Sequence, residues 1–205
     1  IVALVTIFIS SYLITYNRQV FDMVKPYLDL FGRDKYHNLQ DVAEKFDVLV
    51  IGYHRLGWKI CETLKKMNVK FAVIDFNPEV VAKLKEKEIM HFFGDCTDVE
   101  FLNDLPFEQT KMVISTLPHA EDQVTMIKHI RKLARQPIII ANLSFAEFMH
   151  KVYAAGADYI MVPHMVGGQW ITEILENKAW NRRTFKALFA SQQKELEERL
   201  KTGHH

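Results

Sequence analysis

Residues 48–60 read VLVIGYHRLGWKI. Four apolar residues run into a turn, Gly52-Tyr53-His54-Arg55-Leu56-Gly57, and a helical pattern follows. This is how a nucleotide-binding strand–turn–helix begins. Gly52 permits a tight exit from the strand, and Gly57 lets the helix pack closely against the sheet. The helix amino end offers N–H groups and the positive end of its dipole to a phosphate. The dinucleotide fingerprint G-x-G-x-x-G has a glycine where this chain has His54. A side chain there either fills part of the space in which backbone approaches a pyrophosphate or points away. An imidazole can donate to a phosphate oxygen, and Arg55 can do so through a charged fork. The alternative for His54 is a surface turn residue that meets no ligand. The turn therefore fits a mononucleotide such as AMP more readily than a full dinucleotide.

The next apolar run, KFAVID (70–75), ends on Asp75 and continues into Phe76 and Asn77. A carboxylate at the end of the second strand accepts hydrogen bonds from an adenosine ribose diol. It disfavours a ribose 2′-phosphate, which speaks against NADP. An acid there gains little structurally, so its presence favours a ligand role and predicts that Asp75→Ala leaves stability nearly unchanged. The third run, IMHFFGD (89–95), closes on Gly94-Asp95-Cys96-Thr97. Asp95 can accept from the adenine amino group, or Cys96 can offer its backbone. Capping of the next helix by Thr97 or Asp98 is the other reading, and both can hold. The fourth run, KMVIST (111–116), brings Ser115, Thr116 and Leu117 to the same edge. The Ser115 and Thr116 hydroxyls either approach ribose or phosphate or serve a simple strand-to-helix turn.

Two further runs, PIIIAN (137–142) and DYIMVP (158–163), follow. Helical patterns lie between and after the runs, near 56–67, 78–87, 98–104, 120–134, 145–154 and 165–176. Apolar runs without polar alternation suit strands buried on both faces of a parallel sheet. Six of them alternating with helices predict an α/β, Rossmann-like, doubly wound parallel sheet over residues 47–176.

The flanks differ in character. Residues 1–16, IVALVTIFISSYLITY, carry no charge. As a helix they reach about 24 Å, and a membrane span needs about 20 residues. Residues 1–17 are expected to be the end of the last transmembrane helix of a longer, multi-pass cell-membrane protein, or else a buried soluble helix. Arg18, Lys25, Arg33 and Lys35 follow, which places the exit side in the cytoplasm. Residues 18–46, with Pro26 and Gly32, read as a cytoplasmic linker. Residues 177–203 read as an amphipathic helix with a stripe of Phe185, Leu188, Phe189, Leu196 and Leu200, suited to contact with a second copy. His204 and His205 can be a tag remnant.

The rest of the chemistry is exclusion. With 26 Lys+Arg against 25 Asp+Glu, no global nucleic-acid surface is implied. Cys61 and Cys96 are read as free thiols. His91, His129, His150 and His164 lack metal-ligand spacing. Trp58 after Gly57 rules out a P-loop, and no GxSxG occurs. His119, Glu121 and Asp122 open a helix whose dipole they complement. No catalytic acid–base pair and no substrate domain are visible, so an NAD-dependent oxidoreductase is the weaker reading and no enzymatic activity is expected. A nucleotide-free dimerising scaffold is the remaining rival.

VLVIGYHRLG, AVID, FFGDCTD and VISTLP, in this order, resemble the RCK domain, also called the potassium transport nucleotide-binding or TrkA-N domain, over about residues 46–176. The apolar helix followed by NRQVFDMVKPYLDLF (17–31) resembles the final membrane helix and exit segment of the monovalent cation:proton antiporter-2 family, which includes the Kef-type potassium efflux systems. The resemblance implies a cytoplasmic domain that forms a homodimer and binds an adenine nucleotide, AMP first or NAD(H) second. It implies regulation of K+ or Na+/proton antiport by a membrane transport domain upstream in the same chain. It carries the phosphate-turn role onto Gly52 and Gly57, the ribose role onto Asp75 and the adenine side onto Asp95 and its neighbours. His54 departs from the pattern. A ligand-gated potassium channel with the same domain is the alternative.

Overall fold

The computed structural model describes residues 2–16, 45–54 and 56–201, and the chain divides into two units, residues 1–38 and 39–205. The first contains helix α1 (Val2–Thr15), VALVTIFISSYLIT, whose described side chains are all exposed. Its 14 residues make about 21 Å of helix. Among the described residues no helix is long and apolar enough to cross a membrane. Residues 18–44 of the proposed linker and the two terminal histidines lie outside the described residues.

In the second unit the six apolar runs become six strands: β1 (Val48–Ile51), β2 (Phe71–Asp75), β3 (His91–Phe93), β4 (Met112–Ser115), β5 (Ile138–Asn142) and β6 (Tyr159–Met161). All pair in parallel, in the order β3-β2-β1-β4-β5-β6. The connecting helices are α2 (Gly57–Lys66), α3 (Pro78–Glu86), α4 (Val99–Asn103), α5 (Ala120–Leu133) and α6 (Met149–Ala155). Two longer helices follow, α7 (Pro163–Asn177) and α8 (Arg182–Lys201).

Strand periodicity explains the layering. Leu49 and Ile51 of β1 join Ala72, Ile74, Ile139 and Ile160 on one face, under Leu102 of α4, Met126, Ile127 and Ile130 of α5 and Val152 of α6. Val48 and Val50 point the other way, with Val73 and Ile114, onto Trp58, Cys61 and Leu64 of α2 and Val80 and Leu84 of α3. Among the described strand residues that second face is buried over β1 and β2 and at Ile114 of β4. Pairing places Ile114 beside Ile140 and Ile140 beside Tyr159. Along this row exposure rises from 9% at Ile114 to 53% at Tyr159, and Ile138 is 48% exposed. The expectation that every strand is buried on both faces therefore fails at β5 and β6. A physical reason is that the next helix in the chain, α7, buries only Ile174 among its described residues and so supplies little apolar cover.

Candidate nucleotide-binding site

The strand order reverses between β1 and β4, and ligands of doubly wound sheets bind outside the strand ends at such a point. The turn after β1 lies there. Gly52 has φ +84°, a region that side chains avoid. A Cβ on Gly52 would meet the Thr116 hydroxyl, and one on Gly57 would meet the Gly52 carbonyl. Both glycines are thus demanded by close packing. The Gly57 N–H donates to the His54 carbonyl at 3.2 Å and the Trp58 N–H to the Tyr53 carbonyl at 2.7 Å. These first helical donors were expected to be open to a phosphate. The tight turn aims its own carbonyls at them, so the helix end attracts an anion here through its dipole.

Within the turn, His54 is exposed and Leu56 half-buried, while Arg55 lies outside the described residues. The Tyr53 ring is buried in the α2–α3 face, with Lys87 Nζ donating to its hydroxyl at 3.3 Å and lying 5.7 Å from the ring centre. Burial pushes the Tyr53 phenol up to about 12. The Tyr53 side chain is thus engaged in the core, and only its backbone faces the turn.

Asp75 sits at the end of β2 and is 8% exposed. One carboxylate oxygen accepts from the Tyr53 N–H at 2.9 Å, the other from the Asn77 N–H at 2.9 Å. The acid braces the turn, which corrects the expectation that it gains little structurally. Phe76 beside it is 66% exposed. The Asn77 side chain caps α3 by accepting from the Glu79 N–H at 2.9 Å.

After β3, the Gly94 N–H donates to the Asp75 carbonyl at 3.2 Å, and a Cβ on Gly94 would strike the Phe101 ring. Asp95 is exposed, and its Oδ1 accepts from the Thr97 N–H and hydroxyl, both at 2.8 Å. Capping of α4 falls to Asp98, which accepts from the Glu100 N–H at 2.9 Å. The Cys96 side chain is buried; burial first, then the charges of Asp95 and Asp75, push its thiol far up, so it stays protonated. Any contact by Cys96 is through backbone.

Of the two alternatives for the hydroxyls after β4, the structure shows the strand-to-helix turn. Ser115 is fully buried, and its Oγ accepts from the Leu117 N–H at 3.4 Å. The Thr116 hydroxyl faces the Ile51 and Gly52 carbonyls, 3.0 Å from each. Both are turned inward because β4 runs beside β1 and its last residues meet the glycine turn. Leu117 is half-buried.

One residue was missed. Gln123 of α5 is fully buried, and its Nε2 donates to the Leu117 carbonyl at 2.9 Å and the Asn142 carbonyl at 3.0 Å, tying together the exits of β4 and β5. Its signal was a polar residue four positions before Ile127, on the core-facing side of the helix. Beside it lies a hollow of about 240 Å³ lined by Pro118, His119, Ala120, Leu143, Ser144, Phe145 and Phe148. Among the described residues no three His, Cys, Asp or Glu side chains come together as a metal site.

Comparison with known proteins gives this arrangement a family. Potassium channel protein 1 of Methanocaldococcus jannaschii is 29% identical over 150 residues, covering 70% of this chain and 45% of that protein. The glutathione-regulated potassium-efflux system protein KefC of Klebsiella pneumoniae is 22% identical over 111 residues, 54% of this chain and 18% of that protein. The chain thus spans less than half the length of these relatives. Among solved structures, the TrkA-N domain of inner membrane protein ybaL from Escherichia coli superposes with a TM-score of 0.62 at 21% identity, over 65% of this chain and 99% of that one. The GsuK channel bound to NAD gives 0.56 at 23% identity, over 76% of this chain and 29% of that one. The Shewanella denitrificans Kef CTD in AMP bound form gives 0.52 at 13% identity, over 76% and 94%. These structures share the six-stranded fold. The model of the TrkA-N domain matches residues 48–163, and the chain belongs to the TrkA-N domain family.

Proposed function

We propose that residues 47–176 are a nucleotide-responsive regulatory domain of a potassium-transport protein, acting on the cytoplasmic side and performing no chemistry. The observation that carries this is the glycine turn at the strand-order reversal, with the Asp75 carboxylate at the end of the neighbouring strand. The bound species is an adenine nucleotide. AMP is the first choice because the exposed His54 stands where a dinucleotide turn has glycine; NAD(H) is the second. The AMP-bound Kef domain and the NAD-bound GsuK channel, which share the fold, support a nucleotide as the ligand. Gly52, Gly57, Asp75, Phe76 and Asp95 are the residues assigned to hold it, with backbone of Tyr53, Cys96 and Leu117.

The transport partner is a monovalent cation/proton antiporter, a reading supported by the exit segment at 17–31 and the KefC relative. A ligand-gated potassium channel is the second reading, favoured by the archaeal channel relative. The domain acts as a homodimer. Support comes from the exposed Phe185, Phe189, Leu196 and Leu200 on α8 and from the open face at Ile138 and Tyr159. Nucleotide occupancy regulates transport only if it binds one arrangement of the paired domains better than another.

Calorimetric titration of the full chain with AMP, ADP, ATP, NAD and NADH tests the reading. Tight AMP with weak NAD(H) is expected. Tight NADH instead assigns the domain to redox sensing. Binding of none of them leaves the dimerising scaffold.

A further inference from the structure

We propose that Thr116 is a positioning residue for the glycine turn: its side chain stands between Gly52 and Gly57 and sets the turn that meets the nucleotide phosphate, without touching the nucleotide. This inference rests on the nucleotide reading above and deepens it.

The side chain has two ends, and each faces one glycine. The hydroxyl lies 3.0 Å from the carbonyls of Ile51 and Gly52, the last residue of β1 and the first of the turn. It is also the atom that a Cβ on Gly52 would strike. The methyl group, Cγ2, lies 3.8 Å from the place of a Cβ on Gly57. The backbone of Thr116 continues the β4–β1 ladder, its N–H donating to the Ile51 carbonyl at 2.8 Å. The side chain is therefore held by the sheet and cannot drift with the turn.

The consequence follows from where the Gly52 carbonyl points. Gly57 packs directly on that carbonyl. Fixing the carbonyl fixes the first residue of α2 and with it the direction of the dipole that attracts an anion. Asp75 grips the same turn from the opposite strand by accepting from the Tyr53 N–H. The turn is thus held on one side by an acceptor on β2 and on the other by a donor just past β4. A threonine satisfies both halves of the second requirement. Serine keeps the donor and drops the methyl, whereas valine keeps the shape and drops the donor.

The test compares the full chain with Thr116→Val and Thr116→Ser. Amide hydrogen exchange at Gly52, Tyr53 and Gly57 is followed without ligand, and affinities for AMP and adenosine are measured. In Thr116→Val the three amides should exchange about tenfold faster, and the AMP-to-adenosine affinity ratio should shrink about tenfold, the scale of one hydrogen bond. Thr116→Ser should stay near wild type in both. If Thr116→Val loses AMP affinity while its ligand-free amides exchange as in wild type, the hydroxyl contacts the nucleotide and the proposal is wrong. If exchange rises and the affinity ratio stays, Thr116 is structural only, and the proposal is equally wrong. Should Thr116→Val not fold, Thr116→Ala is read by the same two criteria. Wild-type protein that binds neither AMP nor any other nucleotide overturns the functional reading and the ligand half of this proposal. The exchange rates still decide whether Thr116 holds the turn.

Discussion

The two halves of the sheet are built alike and finished differently. Around β2 the strands are sealed on both faces, with Val73 and Ile74 both fully buried. In β5 the neighbouring Ile138 and Ile139 are 48% and 0% exposed. The ends of the two strands differ in the same sense. Asp75 closes β2 with both carboxylate oxygens engaged by backbone N–H groups. Asn142 closes β5, equally buried, with no hydrogen-bond partner for its Oδ1. The first half is complete within one chain and carries the tightly held turn. In the second half the described residues Ile138 and Tyr159 leave apolar surface exposed. Exposed apolar surface of this kind marks a place for contact, and the dimer proposed above would use it.

The sharpest way to break this contrast is to truncate adjacent isoleucines. Ile139→Ala should cost about 2–5 kcal/mol in denaturant unfolding, as expected for a fully buried site, and Ile138→Ala far less. Equal losses would mean that the open face is covered after all. Next in size is Asp75→Ala. Leaving the Tyr53 N–H without its acceptor should cost about 1–3 kcal/mol, besides weakening adenosine binding. Unchanged stability would return Asp75 to a purely ligand role.

The covered face also predicts a pH limit. Burial raises the Cys61 thiol from 9.0 to about 12 and the Tyr53 phenol from 10.0 to about 12. Both groups are neutral in the folded chain and ionise more easily once unfolded. Their stabilisation is therefore full below pH 9 and is lost as pH climbs from 9 toward 12. Thermal unfolding recorded across that range should show the decline, and Cys61→Ala should make it shallower, with the buried Cys96 thiol still contributing. A flat profile would contradict the burial of both groups.

Smaller effects sharpen the second half and the turn. Tyr159→Ser should leave the unfolding midpoint of the monomer within about 0.5 kcal/mol of wild type, while sedimentation equilibrium shows weaker self-association. Unaltered association would remove the β6 face from the dimer contact. His54→Gly should raise NAD affinity relative to AMP a few-fold, about the scale of relieving one side-chain contact. A preference that does not move would show that the imidazole points away from the ligand.

What could be read in the sequence was what depends on neighbours along the chain. The six strands fall inside the six apolar runs, because a strand's burial is written in consecutive residues. The glycine turn and the acid at the end of β2 were equally legible, since each needs a particular residue type at one spot. What depends on residues far apart was hidden. The inward turn of the Thr116 hydroxyl arises only because β4 lies beside β1, with 64 residues between Thr116 and the Gly52 carbonyl it faces. The brace from Asp75 to Tyr53 spans 22 residues. PIIIAN reads the same as a strand covered on both sides, because the cover would come from a helix whose path the pattern does not state.

The short central strand also has a mechanical meaning. Just before it, Phe46 is 3% exposed, the Asp47 N–H donates to the Lys70 carbonyl at 2.9 Å, and the Asp47 carbonyl accepts from Lys111 and Met112 at 3.0 and 3.1 Å. Just after it comes the glycine turn. Between them β1 is four residues, roughly 13 Å at 3.3 Å per residue. Tension on the chain ahead of Phe46 runs along this strand, so the ladders to β2 and β4 bear it in shear, with their bonds sharing the strain together instead of parting one by one. A stiff rod of this kind moves as a unit: displacement at its amino end and displacement at the glycine turn are the same displacement, delivered without slack.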